Sequence, residues 1–184
     1  MTQQKLFMVL IGCRPAGRSI EQHDIFFGIA ESLRDLIPSM KAFWPEAKGK
    51  MHVDAWREVN YANGYRVSVK ERNGSAASGD QLFFVNLGGY RPGDFEEYHY
   101  KMVVAGPDMA TAVKTGKQTA FYKHAGFKGA DSHIDDKYGI DVDDIFVVQD
   151  LLQGAGKQYE LLVEPGYDGM EDELNIGYFK LDKI

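Results

Sequence analysis

Leu6-Phe7-Met8-Val9, then Gly12 and Arg14-Pro15, then Glu21 and His23 ahead of Ile25-Phe26-Phe27: the reading of the whole chain turns on this stretch. It is an apolar strand, a Gly-containing turn, an acidic residue two places before a ring, and a second apolar strand. The order returns in Leu82-Phe83-Phe84-Val85, Gly88-Gly89, Arg91-Pro92, then Glu97 and His99 ahead of Met102-Val103-Val104. A third version runs Leu161-Leu162-Val163, Gly166-Tyr167, then Glu173 and Asn175 ahead of Ile176, Tyr178 and Phe179. Glu21, Glu97 and Glu173 recur at a constant spacing of 76 residues.

Repetition at a fixed period predicts architecture before any local pattern does. The expected fold class is α+β: two tandem strand-strand-helix-strand units with mixed sheets, residues 1–76 and 77–153. Residues 154–184 keep only the opening strand pair of a third unit, a two-strand cap suited to covering a last sheet edge. Within the first unit Ile29, Leu33, Leu36 and Ile37 share one helical face, with Pro38 expected to end the helix. Tyr65, Val67 and Val69 alternate as in a half-buried strand, which is expected to form a hairpin with Leu82–Val85 and join the units. In the second unit Asp108 opens a helix, His133-Ile134-Asp135 is expected to match His52-Val53-Asp54, and Ile145–Val148 to match Tyr65–Val69.

Composition narrows the function classes. With 44% apolar residues in 184, the chain can bury a core for one ordinary domain or two small ones. A net charge of −6 with its basic residues scattered leaves no stripe to neutralise phosphates, so neither nucleic acid nor an anionic membrane is an expected partner. The single cysteine, Cys13, excludes an internal disulfide. Leu6–Ile11 before Gly12-Cys13 imitates an export signal, but six apolar residues are too few, so a buried strand in a cytoplasmic protein is expected.

Residues two apart on a strand face the same side, about 7 Å apart. Glu21 with His23, and His52 with Asp54, would together give two imidazoles and two carboxylates, a donor set for a divalent transition metal. Glu97, His99, His133 and Asp135 would repeat it. The competing reading is structural: a His beside a carboxylate is more often a satisfied hydrogen-bond pair, and Asn175 beside Glu173 in the third version is a poor metal ligand. On the sequence alone that reading leads.

Arg14 and Arg91, placed after the Gly turns, could hold a carboxylate or phosphate, or pair with Glu21 and Glu97. Cys13 as a nucleophile activated by His23 or His52 is a weaker idea than Cys13 as a small buried residue. Asp131, Asp135, Asp136, Asp141, Asp143 and Asp144 read as a solvated acidic face.

The words Leu6-Phe7-Met8-Val9, Gly12-Cys13-Arg14-Pro15, Glu21-Gln22-His23-Asp24-Ile25-Phe26-Phe27-Gly28 and His52-Val53-Asp54-Ala55-Trp56 resemble a bacterial family filed as domain of unknown function 1543, whose members carry one or two copies of the domain. The resemblance implies duplication and brings no activity, cofactor or catalytic residue. The expected function is binding of a small ligand or divalent metal at the Glu/His and His/Asp pairs. The alternatives are a structural or protein-interaction module, in which the partner could be a second copy of the chain, and a metal-dependent hydrolase.

Overall fold

Strand β1, Lys5–Cys13, is apolar on both faces, and both are buried. Phe7, Val9, Ile11 and Cys13 enter a core with Phe26, Leu36, Met40 and Val53. Leu6 and Met8, on the opposite face, are also covered. A strand shielded on both sides reads as a continuous apolar run rather than an alternation. The computed structural model describes residues 3–73, 79–90, 93–118 and 141–184, Asp141 through its backbone alone. They divide into two compact units, residues 1–77 with 149–184, and residues 78–148.

In the first unit β1 pairs with β2, Gln22–Ala30, on one side and with β3, His52–Glu58, on the other. Between β2 and β3, Ser32 and Asp35 close a turn: the Ser32 hydroxyl donates to Asp35 Oδ2 at 2.6 Å, and the Ser32 N–H donates to the same oxygen at 3.1 Å. The chain then makes a 3-10 turn, Leu33–Leu36, and helix α1, Ile37–Phe43. Pro38 therefore starts this helix instead of ending it, since proline in the first turn forfeits no intrahelical bond. Gly28 makes room for the packing, because a Cβ there would stand 2.7 Å from Leu36 Cδ2.

After β3, Tyr61–Ala62 (β4) and Tyr65–Glu71 (β5) form a hairpin around Asn63 and Gly64, both with positive φ, as a two-residue Asn-Gly turn demands. Strand β5 pairs on its other side with β9, Tyr159–Pro165, in the order β4-β5-β9. The expected hairpin between Tyr65–Val69 and Leu82–Val85 does not form, because β9 takes that edge. The C-terminal strand pair, expected as a two-strand cap, is divided between two sheets. β10, Asn175–Lys180, lies against β3 and completes the order β10-β3-β1-β2, so the two last strands close edges in two different sheets. Asp172, between them, accepts the Asn60 and Tyr61 N–H groups at 3.1 to 3.3 Å.

The second unit has β6, Gln81–Tyr90, between β7, Glu97–Gly106, and β8, Asp141–Val147. Helix α2, Met109–Lys117, begins where Asp108 accepts the Thr111 N–H at 2.7 Å, which holds the Asp108 carboxyl below its ordinary range. Ala112 of the helix joins Phe83, Val85, Leu87 and Val104 in the core. Strand β8 stands to β6 as β3 stands to β1, so Ile145–Val147 correspond to β3 and not to Tyr65–Val69. Every described pairing is antiparallel, so the sheets are not mixed. The class is α+β with few helices. Among the described residues no helix is long and apolar enough to cross a membrane.

The C-terminal strands carry more than an edge. Leu181, directly after β10, is 8% exposed and belongs to the first unit's core. Ending the chain at Gln153 bares β3 and β5 together and removes Leu181, so the truncated protein is expected to aggregate or lose cooperative unfolding. Size-exclusion chromatography with denaturant melts checks this, and a soluble, cooperatively folding truncation would contradict the topology.

Candidate metal centre

Gly12, on β1, has His23 of β2 as its cross-strand partner on one side and His52 of β3 on the other. Three residues in one row of an antiparallel sheet project to the same face, so two imidazoles flank a position with no side chain. Glu21, two residues before His23, and Asp54, two after His52, complete the set. The register between β1 and β3 shifts here: Ile11 pairs with Val53 and Leu10 with Ala55, leaving Asp54 as the extra residue of a bulge. Bulges re-aim a side chain, and this one brings Asp54 to the histidines.

The donor atoms approach one another in His–carboxylate pairs. His23 Nε2 lies 3.3 Å from Asp54 Oδ2 and 4.0 Å from Glu21 Oε2, and His52 Nε2 lies 3.3 Å from Glu21 Oε1 and 3.2 Å from Asp54 Oδ1. A tetrahedral metal with bonds of about 2.0 to 2.1 Å sets its donors roughly 3.3 Å apart. Hydrogen bonding does not explain the proximity, for the buried atoms His52 Nε2 and Asp54 Oδ2 have no hydrogen-bond partner. His52 as a whole is 6% exposed. An imidazole nitrogen and a carboxylate oxygen buried in this way cost about 1 to 3 kcal/mol each unless something satisfies them. Two carboxylates would balance a divalent cation, and imidazole with carboxylate suits zinc and its neighbours in the transition series.

Gly12 is required here for space, not for an unusual backbone. A Cβ at this position would collide with His52 Nε2 and Asp54 Oδ2. The His52 ring packs against Tyr178 of β10, with centroids 4.2 Å apart.

The second unit repeats the frame with different donors. His99 pairs across to Gly88, His99 Nε2 lies 3.2 Å from Asp143 Oδ2 and 3.9 Å from Glu97 Oε2, and these three exposed residues could share a metal ion. A Cβ at Gly88 would strike the Asp143 carboxylate. The register also shifts at Asp143, the counterpart of Asp54, while Asp141 holds the backbone position across from Gly88 that His52 holds across from Gly12. Those places had been expected for His133 and Asp135, which lie outside the described residues, as does Arg91. From sequence, Asp143 reads as part of an acidic face. Its usable signal was the pattern Asp141-Val142-Asp143, which, like His52-Val53-Asp54, leads directly into strand residues.

Arg14 is exposed just beyond β1, and Glu21 faces the histidines rather than an arginine. Cys13 is 1% exposed on the core side of β1, where burial, with the Glu21 charge adding to it, pushes the thiol up. A protonated, covered thiol is no nucleophile.

No curated protein matches this chain. Among solved structures, the crystal structure of a protein Il1583 from Idiomarina loihiensis is similar, with a TM-score of 0.66 and 21% identity over 97% of this chain and 98% of that one. At that identity the likeness shows the fold. The family model described as Domain of Unknown Function (DUF1543) matches residues 18–69, the stretch carrying Glu21, His23, His52 and Asp54. Within residues 18–69, the chain is therefore similar to the family of Domain of Unknown Function 1543.

Proposed function

We propose that the first unit binds a divalent transition metal through Glu21, His23, His52 and Asp54. The observation that carries this reading is the buried, hydrogen-bond-orphaned pair His52 Nε2 and Asp54 Oδ2, 3.2 to 3.3 Å from donors of the opposite type. A structural hydrogen-bond network would satisfy those atoms, which is why the reading that leads on sequence alone gives way here. Four protein donors drawn onto one ion would fill a tetrahedral shell, which would favour holding a metal over presenting a reactive water. A hydrolase would need one donor to leave, and Glu21, with its side chain 45% exposed, is the one free to do so. The matching registers around Gly12 and Gly88 support descent of the two units from one duplicated ancestor. The second unit, with one imidazole among exposed donors, would hold a cation more weakly, since solvent competes for exposed ligands.

Elemental analysis of protein purified without a metal-affinity tag is expected to find about one tightly held metal per chain, lost in His52→Ala. Saturating zinc at a hundred times its dissociation constant should stabilise the wild type by about 2.7 kcal/mol. The same zinc should leave His23→Ala unmoved. Since the His23 side chain is 42% exposed, metal-free His23→Ala should melt within about 0.5 kcal/mol of metal-free wild type. If chelator leaves the wild type unchanged and His23→Ala is destabilised regardless of metal, the pairs are structural.

Gly12→Ala tests the geometry. The added methyl displaces His52 Nε2 and Asp54 Oδ2, so metal affinity should fall at least tenfold, while Gly154→Ala, ahead of β9 where φ is −61° and a Cβ meets nothing within 4 Å, retains it. Calorimetric titration with zinc reads both. His99→Ala is expected to leave the tight equivalent in place and remove only a weaker one.

A further inference from the structure

Beside the metal centre, on the first unit, lies a cleft of about 400 Å³ that shares His52 as part of its wall. That volume falls in the range of small-molecule sites. Its charge is unusual for a chain of net −6, because Lys41, Lys50 and Lys180 line it against a single acidic residue, Asp182. Among the described residues none of the three lysines has an ion-pair partner, whereas Lys5 and Lys70 pair with Glu58 and Glu160. Three ammonium groups around one concavity repel each other, and an anion relieves that repulsion.

The other feature is flat and apolar. Tyr178 is 66% exposed, lines the cleft and lies against the His52 ring. An exposed aromatic face at the mouth of a charged cleft suits a planar group. Met51 and Leu181, both largely buried, supply further apolar lining. Register explains the assembly: Lys180 is the cross-strand partner of His52, and Tyr178 precedes it by two on the same strand.

We propose that this cleft binds a small aromatic anion, a carboxylate or a phosphate ester, with its charge among Lys41, Lys50 and Lys180 and its ring on Tyr178. The site adjoins the proposed metal through His52 and does not require it, since the lysines are the anchors.

The test titrates the full chain with phenyl phosphate, benzoate and the neutral analogue benzamide, followed by calorimetry and by amide chemical shifts. Phenyl phosphate and benzoate should bind and shift residues around the cleft, the stronger of the two naming the head group, and benzamide should bind at least tenfold more weakly. The double substitution Lys50→Gln, Lys180→Gln should lower affinity for the better anion at least tenfold while keeping the wild-type metal content and melting temperature. Undiminished binding to the double variant, or benzamide binding as well as benzoate, overturns the proposal. Repeating the titration after chelator separates the two readings. Anion binding that vanishes with the metal makes the anion a metal ligand and sinks the lysine cleft. Lysine-dependent binding in a protein that takes up no metal sustains the cleft and sinks the metal centre.

Discussion

The contact on which the site depends is one that Gly12 does not make. Across the row His23, Gly12, His52, any side chain on the central strand would fill the space between the two imidazoles. Removing one Cβ turns a flat strip of sheet into a socket whose walls are the neighbouring strands. The backbone stays extended, and β1 keeps its ladder to both β2 and β3. The stability of the sheet and the shape of the socket are thus set by alternate residues of one strand: Ile11 and Cys13 look into the core and Gly12 looks away from it.

A socket alone would be a polar hole with a cost. Buried carboxylate and imidazole atoms without partners are tolerated where a charge or ligand offsets them. The bulge at Asp54 points the same way, since an extra residue disrupts the ladder and is found where a side chain must be re-aimed. The second unit keeps the glycine and the bulge but changes the donors, with Asp141 at the register position of His52. Backbone features shared by both units therefore define the frame, and the side chains would set how tightly each frame holds a cation.

Much of the frame could be read from sequence, because period-two patterns report directly on strands. Glu21 with His23, and His52 with Asp54, were placed on one face each by that rule, and the structure brings the two pairs together. Pairing partners were less accessible. Nothing local in Tyr65–Val69 says that it meets Tyr159–Pro165 instead of Leu82–Val85, since the choice between distant edges is made by the whole chain. The Asn63-Gly64 turn, with positive φ at both residues, is by contrast a local signal for the β4–β5 hairpin. The substitution of Asp141 and Asp143 for His133 and Asp135 was hidden by wording: His133-Ile134-Asp135 imitates His52-Val53-Asp54, but only register against Gly88 identifies which segment continues into the strand. The approach of the two pairs to each other is a property of three strands and a bulge at once, which no single stretch encodes.

The most direct measurement is an anomalous difference map at the zinc absorption edge from crystals grown with zinc. A peak bonded at about 2.0 to 2.2 Å to Nε2 of His23 and His52 and to carboxylate oxygens of Glu21 and Asp54 is the predicted result. Density with no peak there, and the four side chains closed on one another by hydrogen bonds, would contradict it.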